Sequence, residues 1–392
     1  MEGDNSMSEP IRILHVFGNM ELGGAESRVM DLYRNIDRET IQFDFLVHTT
    51  KECFYDKEIR DLGGRLFAVP RFRFTNFFAY KNAMKKFFCE HHEFRAVQGH
   101  MTSTAAIYLP IAKKAGIPFT IAHARSAGTD PGLKGWLTRF LRRNLWKKAD
   151  VLFTCSKEAA LSAFGERAYL ANKVTFIPNA IETEPFRFDV QKRKRMRREN
   201  GIPEEALVFG HVGRFHYAKN HEYLLKVFKE ILVSLRKEET MKEKPLLILL
   251  GDGPRMQEME ALAEELGIFD SVKFLGRHAN ISDYYQMMDC FLYPSRYEGL
   301  PGTIVEAQCN GLPVFMSDTI CEEVVITDLI QTMSIEAAPS EWAEVILSWL
   351  KEKKEDSLED KRLRYYGIVQ KSDFDVKTES VKIQKYYEEI HK

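Results

Sequence analysis

The sequence predicts an α/β protein of two domains, each a parallel sheet covered by helices. Three observations predict it. The chain has 392 residues, more than one ordinary core organises. Short apolar runs alternate with helical patterns along most of its length. Two of those runs, Ile11–Phe17 and Cys290–Tyr293, lead into glycine-containing loops that open helices, and a strand, a loop and a helix N-terminus together form an anion site.

Composition narrows the class. With 44% hydrophobic and 29% charged residues the chain reads as globular. A net charge of −1 gives no whole-chain attraction to nucleic acid. Cys53, Cys89, Cys155, Cys290, Cys309 and Cys321 are scattered, without C-x-x-C or a Cys/His cluster, and read as reduced thiols. Residues 1–10 are polar and acidic, unlike a secretory leader, and are expected to be disordered. No apolar run approaches the ~18–20 residues that span a bilayer. A cytoplasmic protein is expected, with membrane contact only peripheral.

In the first half, Ile11–Phe17 is a buried strand. The loop GNMELGGAE follows, with Gly18, Gly23 and Gly24, and a helix resumes near Ala25. This is the first unit of a Rossmann-like domain. A G-x-G-x-x-G fingerprint is missing, which disfavours a nicotinamide or flavin cofactor. Adjacent glycines let backbone approach a phosphate closely; a plain tight turn is the alternative. Further strands are expected at 42–47, 65–69, 96–98, 119–122, 151–155 and 174–177. In such sheets ligands sit beyond the carboxyl ends of the strands. His100, His123, Arg125 and Ser156 fall there, whereas His91 and His92 precede a strand and read as surface residues.

Lys134–Lys148 carries six basic residues and no acidic one. Trp136, Leu137, Phe140, Leu141, Leu145 and Trp146 are spaced for one helix face. The run fits a peripheral helix on an anionic membrane or a core helix with a basic outer side. The aromatic run 71–78 with Lys81, Lys85 and Lys86 extends the same pattern. The basic stretch 191–200 reads as a solvated helix in a connecting segment rather than a nucleic-acid patch.

The second half begins near Leu207. Arg214 and Lys219 follow its first strand, 207–212, and can neutralise a diphosphate, Arg as a planar fork and Lys as a point charge. Leu246–Leu250 ends in the turn GDGP, and Val272–Leu275 leads to Gly276 and Arg277. After Cys290–Tyr293, the loop holds Glu298, Gly299, Leu300 and Pro301. A helix is expected from Thr303, its cap, to Gly311, with Glu306 about one turn in. Seven residues separate Glu298 from Glu306. Carboxylates do not bind phosphate, so the pair suits hydroxyl groups on either side of one, as in a sugar nucleotide. A solvated loop Glu and a helix-stabilising Glu remain the alternative. The D-x-D at Asp373–Asp375 lies in the tail and makes a poor metal site, so no divalent metal is expected. Tyr365–Lys392 should be helical.

The stretch YPSRYEGLPGTIVEAQCNGLPV resembles the E-x7-E signature of glycosyltransferase family 4, the retaining, metal-independent branch of the GT-B enzymes, most like bacterial exopolysaccharide and capsule members. The loop GGAE and the junction IPNAI, with Ala180 for the usual Gly, resemble the family too. The resemblance implies a GT-B fold: two Rossmann-like domains facing each other across a cleft, the last helix crossing back to the first domain. Expected boundaries are 11–190 for an acceptor domain, 191–204 for a connector, 205–370 for the donor domain and 371–392 for the returning helix. It implies transfer of a hexose, from UDP-sugar by preference, to a growing, free or lipid-linked glycan. Arg214, Lys219 and the Gly23–Gly24 backbone would hold the diphosphate, Glu306 the ribose and Glu298 a sugar hydroxyl. His123 would lie near the transferred sugar, the loop at Gly276 and Arg277 would read the base with its backbone, and Asp318 and Glu323 would match a D-x4-E segment. A nucleotide-sugar epimerase and a non-catalytic partner subunit of the same fold are the competing readings.

Overall fold

A computed structural model describes residues 9–125, 132–238, 243–352 and 357–390. Most of the expected disordered N-terminus lies outside them, as does the side chain of Lys134. The chain divides into two compact units, one of residues up to Ala180 and from Val376 onward, the other Ile181–Asp375.

The first unit is built on seven parallel strands: β1 (Ile11–Phe17), β2 (Ile41–Val47), β3 (Leu66–Ala68), β4 (Phe94–Gly99), β5 (Phe119–Ala124), β6 (Val151–Thr154) and β7 (Val174–Phe176). Their order is β3-β2-β1-β4-β5-β6-β7. Central strands of such a sheet are covered on both faces and so read as largely apolar runs; β2 is buried along its whole length, and its two polar residues are paired, Gln42 with the Tyr33 hydroxyl and Asp44 with Arg12 and Arg65. The core gathers Ile13, Phe17, Val29, Tyr33, Phe43 and Phe45 with Ile383 and Tyr387. The last two lie on the helix Val376–Glu389, which packs against the helix Gly24–Asn35.

Six parallel strands form the second unit: β8 (Val208–Val212), β9 (Leu246–Leu250), β10 (Val272–Gly276), β11 (Cys290–Tyr293), β12 (Val314–Ser317) and β13 (Ile330–Met333). They are ordered β10-β9-β8-β11-β12-β13. Each unit is thus a Rossmann-like sheet whose strand order reverses once, between β1 and β4 or between β8 and β11. At such a reversal the two connections leave in opposite directions and open a crevice at the carboxyl ends.

Several local expectations change. The edge strand β13 was not anticipated; its residues are polar or only half-buried, so no apolar run marks it. His123 lies inside β5, because parallel pairing with Phe153 continues the strand to Ala124. The run 134–148 is not one helix: Leu133–Arg142 is helical, Asn144 turns left-handed at φ 62°, and Leu145–Lys147 is a short 3-10 turn. Leu145 is therefore buried while Trp136 and Phe140 stay exposed. The tail is two helices, Leu358–Gln370 and Val376–Glu389. Between them Asp375 makes a parallel bridge with Ile181 and accepts from the Thr183 hydroxyl at 2.7 Å.

The basic run at 191–200 is the helix Val190–Glu199, capped by the Asp189 carboxylate, but it is not solvated throughout. Arg197 is buried and donates to the Met287 and Ala206 carbonyls and to Asp289. Arg193 pairs with the same carboxylate. Burial alone would raise the Asp289 pKa, but Arg193, Arg197 and Arg362 outweigh it and hold the group below its ordinary value. The arginines anchor this helix to the strand that carries the Glu298 loop.

Candidate functional site

In the second unit, the loops after β8 and β11 bracket the crevice. Lys219 ends the 3-10 turn Tyr217–Lys219, and Asn220 behind it adopts φ 56°. Its ammonium lies 2.8 Å from the Glu298 carboxylate and is bonded to the Tyr293 hydroxyl, 4.7 Å above that ring's centre. Burial opposes charge on Lys219, but Glu298 and Tyr293 more than compensate and raise its pKa. The structure thus joins a cation and a carboxylate that the sequence assigns to different parts of a ligand.

Two backbone contacts tie these loops together. The Arg296 amide donates to the Ala218 carbonyl at 2.7 Å and its guanidinium to the Tyr217 carbonyl at 2.8 Å. From the other side, the Ser317 and Thr319 hydroxyls both donate to the Ser295 carbonyl. Arg214 is exposed at the mouth of the β8 loop.

Glycines set the spacing of this end of the sheet. A Cβ on Gly251 (φ 139°) would lie 2.1 Å from the Gly213 carbonyl oxygen, and one on Gly253 (φ 153°) 2.5 Å from that of Phe215. The Phe215 amide donates to the Asp252 carbonyl at 2.8 Å, and the Gly251 amide to the Gly276 carbonyl at 2.8 Å. Three consecutive loops therefore touch backbone to backbone, which only glycine allows. Arg277 is exposed and paired with Asp252 at 2.8 Å.

The helix after the Glu298 loop runs Gly302–Cys309. Pro301, not Thr303, takes the cap position and offers no side-chain cap. Its fixed φ and missing N–H suit a helix start. Gly299, Leu300 and Pro301 are buried, and the Cys321 thiol meets the Gly299 carbonyl at 3.1 Å. Glu306 is 2% exposed and accepts from the Tyr285 hydroxyl at 2.9 Å. Asp318 is exposed and Glu323 half-buried.

In the first unit, the crevice between β1 and β4 gathers three histidines and an arginine. Arg125 donates to Asn179 at 2.7 Å and to His100 Nδ1 at 3.2 Å. A guanidinium only donates, so the neutral His100 carries its proton on Nε2. From there it donates to His15 Nδ1 at 3.0 Å. A second chain starts at Tyr387, whose hydroxyl donates to Gln98 at 2.6 Å; the Gln98 amide donates to His123 Nδ1 at 2.9 Å. His123 thus carries its proton on Nε2, which is buried and has no partner among the described residues. Burial, then Arg125 and His15, keep His123 neutral by lowering its pKa. Burial first and Arg125 second push His15 down to about 3.

Gly23 caps the helix Gly24–Asn35, and the Glu26 side chain folds against it. Burial raises the Glu26 pKa. Sequence reasoning singled out His100, His123 and Arg125 but missed His15, which sits inside the apolar run IRILHVF and looks like core. It also missed Tyr285 and Tyr387, whose hydroxyls act only through residues distant in sequence.

Two family models match the chain. "Glycosyl transferases group 1" covers residues 192–368, and "Glycosyl transferase 4-like domain" covers 23–180. EpsF of Bacillus subtilis (strain 168), which bears a glycosyltransferase name, is 36% identical over 340 residues, 86% of each chain. The capsular polysaccharide biosynthesis glycosyltransferase CapH of Staphylococcus aureus is 25% identical over 354 residues, 89% of this chain and 94% of that one. Among solved structures, Anabaena HepE in complex with UDP and glucose superposes with a TM-score of 0.76 at 18% identity, covering 96% of this chain and 99% of that one.

Proposed function

This chain belongs to the family-4 type of glycosyltransferases of exopolysaccharide and capsule biosynthesis, and we propose that it transfers a hexose from a UDP-sugar to a growing glycan with retention of anomeric configuration. The observation that carries this reading is the Lys219–Glu298 pair at the β8/β11 crevice. A charged lysine is held where a diphosphate would bind, beside a carboxylate suited to a sugar hydroxyl. HepE was solved with UDP and glucose; that likeness is one of fold, and it makes UDP the first nucleotide to try.

The bond from the anomeric carbon to the diphosphate breaks, and its electron pair passes to the leaving phosphate oxygen. The sugar gains oxocarbenium character. An acceptor hydroxyl attacks from the face the diphosphate leaves, and a phosphate oxygen takes its proton. No covalent sugar–protein step is required. The work left to the protein is stabilising developing negative charge. In the second unit Lys219, Arg214 and the amides that follow Gly299 would do so without a metal. Glu306 would hold the ribose. His123 would donate its Nε2 proton to a sugar hydroxyl, and backbone groups at Gly276 and Arg277 would meet the base. The enzyme would work at the inner face of the cell membrane, with the basic, aromatic segment 134–148 toward an anionic leaflet. Among the described residues no helix is long and apolar enough to cross a membrane.

Calorimetric titration with UDP, GDP, ADP and CMP, in EDTA, tests the assignment. Selective UDP binding that survives EDTA and weakens in Glu306→Ala is expected. Failure to bind any nucleotide would overturn it.

A further inference from the structure

On the first unit a cavity of about 600 Å³, lined by none of the three histidines, opens between three helices. Its floor is apolar: Phe77 from the helix Phe77–Glu90, Ile107, Pro110 and Ile111 from the helix Thr102–Lys114, and Leu141 from Leu133–Arg142. Its size falls in the range of ligand pockets, roughly 300–1,000 Å³. Pro110 has no N–H, so the Ala106 carbonyl lacks its helical donor at this wall.

Four lysines line the same cavity, Lys81, Lys85, Lys114 and Lys148, and no acidic residue does. None of the four has an ion-pair partner among the described residues. Such a lining complements an amphiphile with a hydrocarbon chain and an anionic head. Large aromatics stand exposed on the helices around it: Phe78 is 79% exposed, Trp136 56% and Phe140 59%. Trp136 and Phe140 stack with centres 5.8 Å apart. Aromatic rings beside unpaired cations are the composition of a surface lying at a lipid interface.

We propose that this groove takes the hydrocarbon chain of a phosphate-bearing membrane lipid, with its phosphate on the lysines, so that the domain docks on an anionic bilayer by holding a lipid rather than only resting on it. This rests on the peripheral membrane contact proposed above and moves its centre from the segment 134–148 to the helices Phe77–Glu90 and Thr102–Lys114.

Cys89 reports occupancy. It lines the groove and is exposed, whereas the other five cysteines are buried. Full-length protein is mixed with phosphatidylcholine vesicles, with or without phosphatidylglycerol. Sedimentation reads binding, and the rate of maleimide addition to Cys89 reads the groove. Phosphatidylglycerol is expected to sediment the protein and to slow Cys89 at least fivefold. Each lysine near an anionic surface contributes about fivefold in binding, so Lys81→Glu/Lys85→Glu should lower sedimentation at least tenfold. Ile107→Trp, which fills the groove and keeps every charge, should weaken binding and abolish the lipid-dependent slowing. Sedimentation with Cys89 still fully reactive would overturn the groove, as would equal binding to uncharged vesicles or no binding. UDP titration of the same variants should be unchanged, which separates failure here from failure of the transferase reading.

Discussion

Replacing Lys219 by alanine has two consequences that the structure allows to be separated. The ammonium is 2.8 Å from Glu298, with side chains only 18% and 15% exposed. Removing it strands a mostly buried carboxylate. Breaking a fully buried pair costs roughly 3–5 kcal/mol. Residual solvent at both groups reduces this, and we expect a loss of about 1–2 kcal/mol of folding stability. The second consequence concerns only the reaction. On the proposed reading Lys219 stands ready before a diphosphate departs, and losing one preorganised donor at developing charge costs roughly 3 kcal/mol, or ~100-fold in rate. Lys219→Ala should therefore lower turnover at least about 100-fold while thermal unfolding shifts modestly. Adding Glu298→Gln removes the stranded charge, so the double variant should regain stability but no activity. The assay is UDP release from UDP-sugar with acceptor, beside a melting curve for each variant. Turnover of Lys219→Ala within a few-fold of wild type would refute the assignment. Activity restored together with stability in the double variant would show the lysine to be structural.

The remaining predictions concern the supports of the site. Gly253→Ala places a methyl 2.5 Å from the Phe215 carbonyl at φ 153°; it should cost about 2–3 kcal/mol of stability and weaken UDP binding measured by calorimetry. Glu379 is 5% exposed, and burial, only partly offset by Arg125 and Arg28, raises its pKa to about 7 from 4.5. The folded state thus holds this proton more tightly: the group's contribution is fully present below pH about 4.5 and is lost as pH rises through about 7, by roughly 3 kcal/mol. Denaturant titrations of Glu379→Gln should show that loss flattened, and an unchanged pH slope would contradict the account. Tyr387→Phe removes the donor that orients Gln98 against His123; kcat should fall about tenfold, the loss of one buried hydrogen bond, with UDP affinity unchanged.

Much of this was legible locally. Strand positions followed from apolar runs such as Leu246–Leu250 and Cys290–Tyr293, because a strand covered on both faces is apolar at most of its positions. Spacing around a loop and a helix start singles out Glu298 and Glu306 as candidates, with a solvated loop Glu and a helix-stabilising Glu as the alternative. Helix ends were less legible. Thr303 looked like a cap, but Pro301 starts that helix. The run 134–148 had continuous helical periodicity, yet Asn144 breaks it, since asparagine tolerates the left-handed conformation and Leu145 gains burial by the turn.

By itself the sequence determined the α/β class, the division into two halves, the loops that end strands and the family those loops resemble. These are properties of neighbouring residues: period, turn chemistry and spacing. Tertiary structure alone decided which residues share a site. Lys219 meets Glu298 because β8 pairs with β11. His15 meets His100 because β1 pairs with β4. Tyr387 reaches Gln98 because the last helix returns to the first unit. The physical reason is that strand order and helix return are settled by burying whole apolar faces at once, and no short window of sequence records which faces meet.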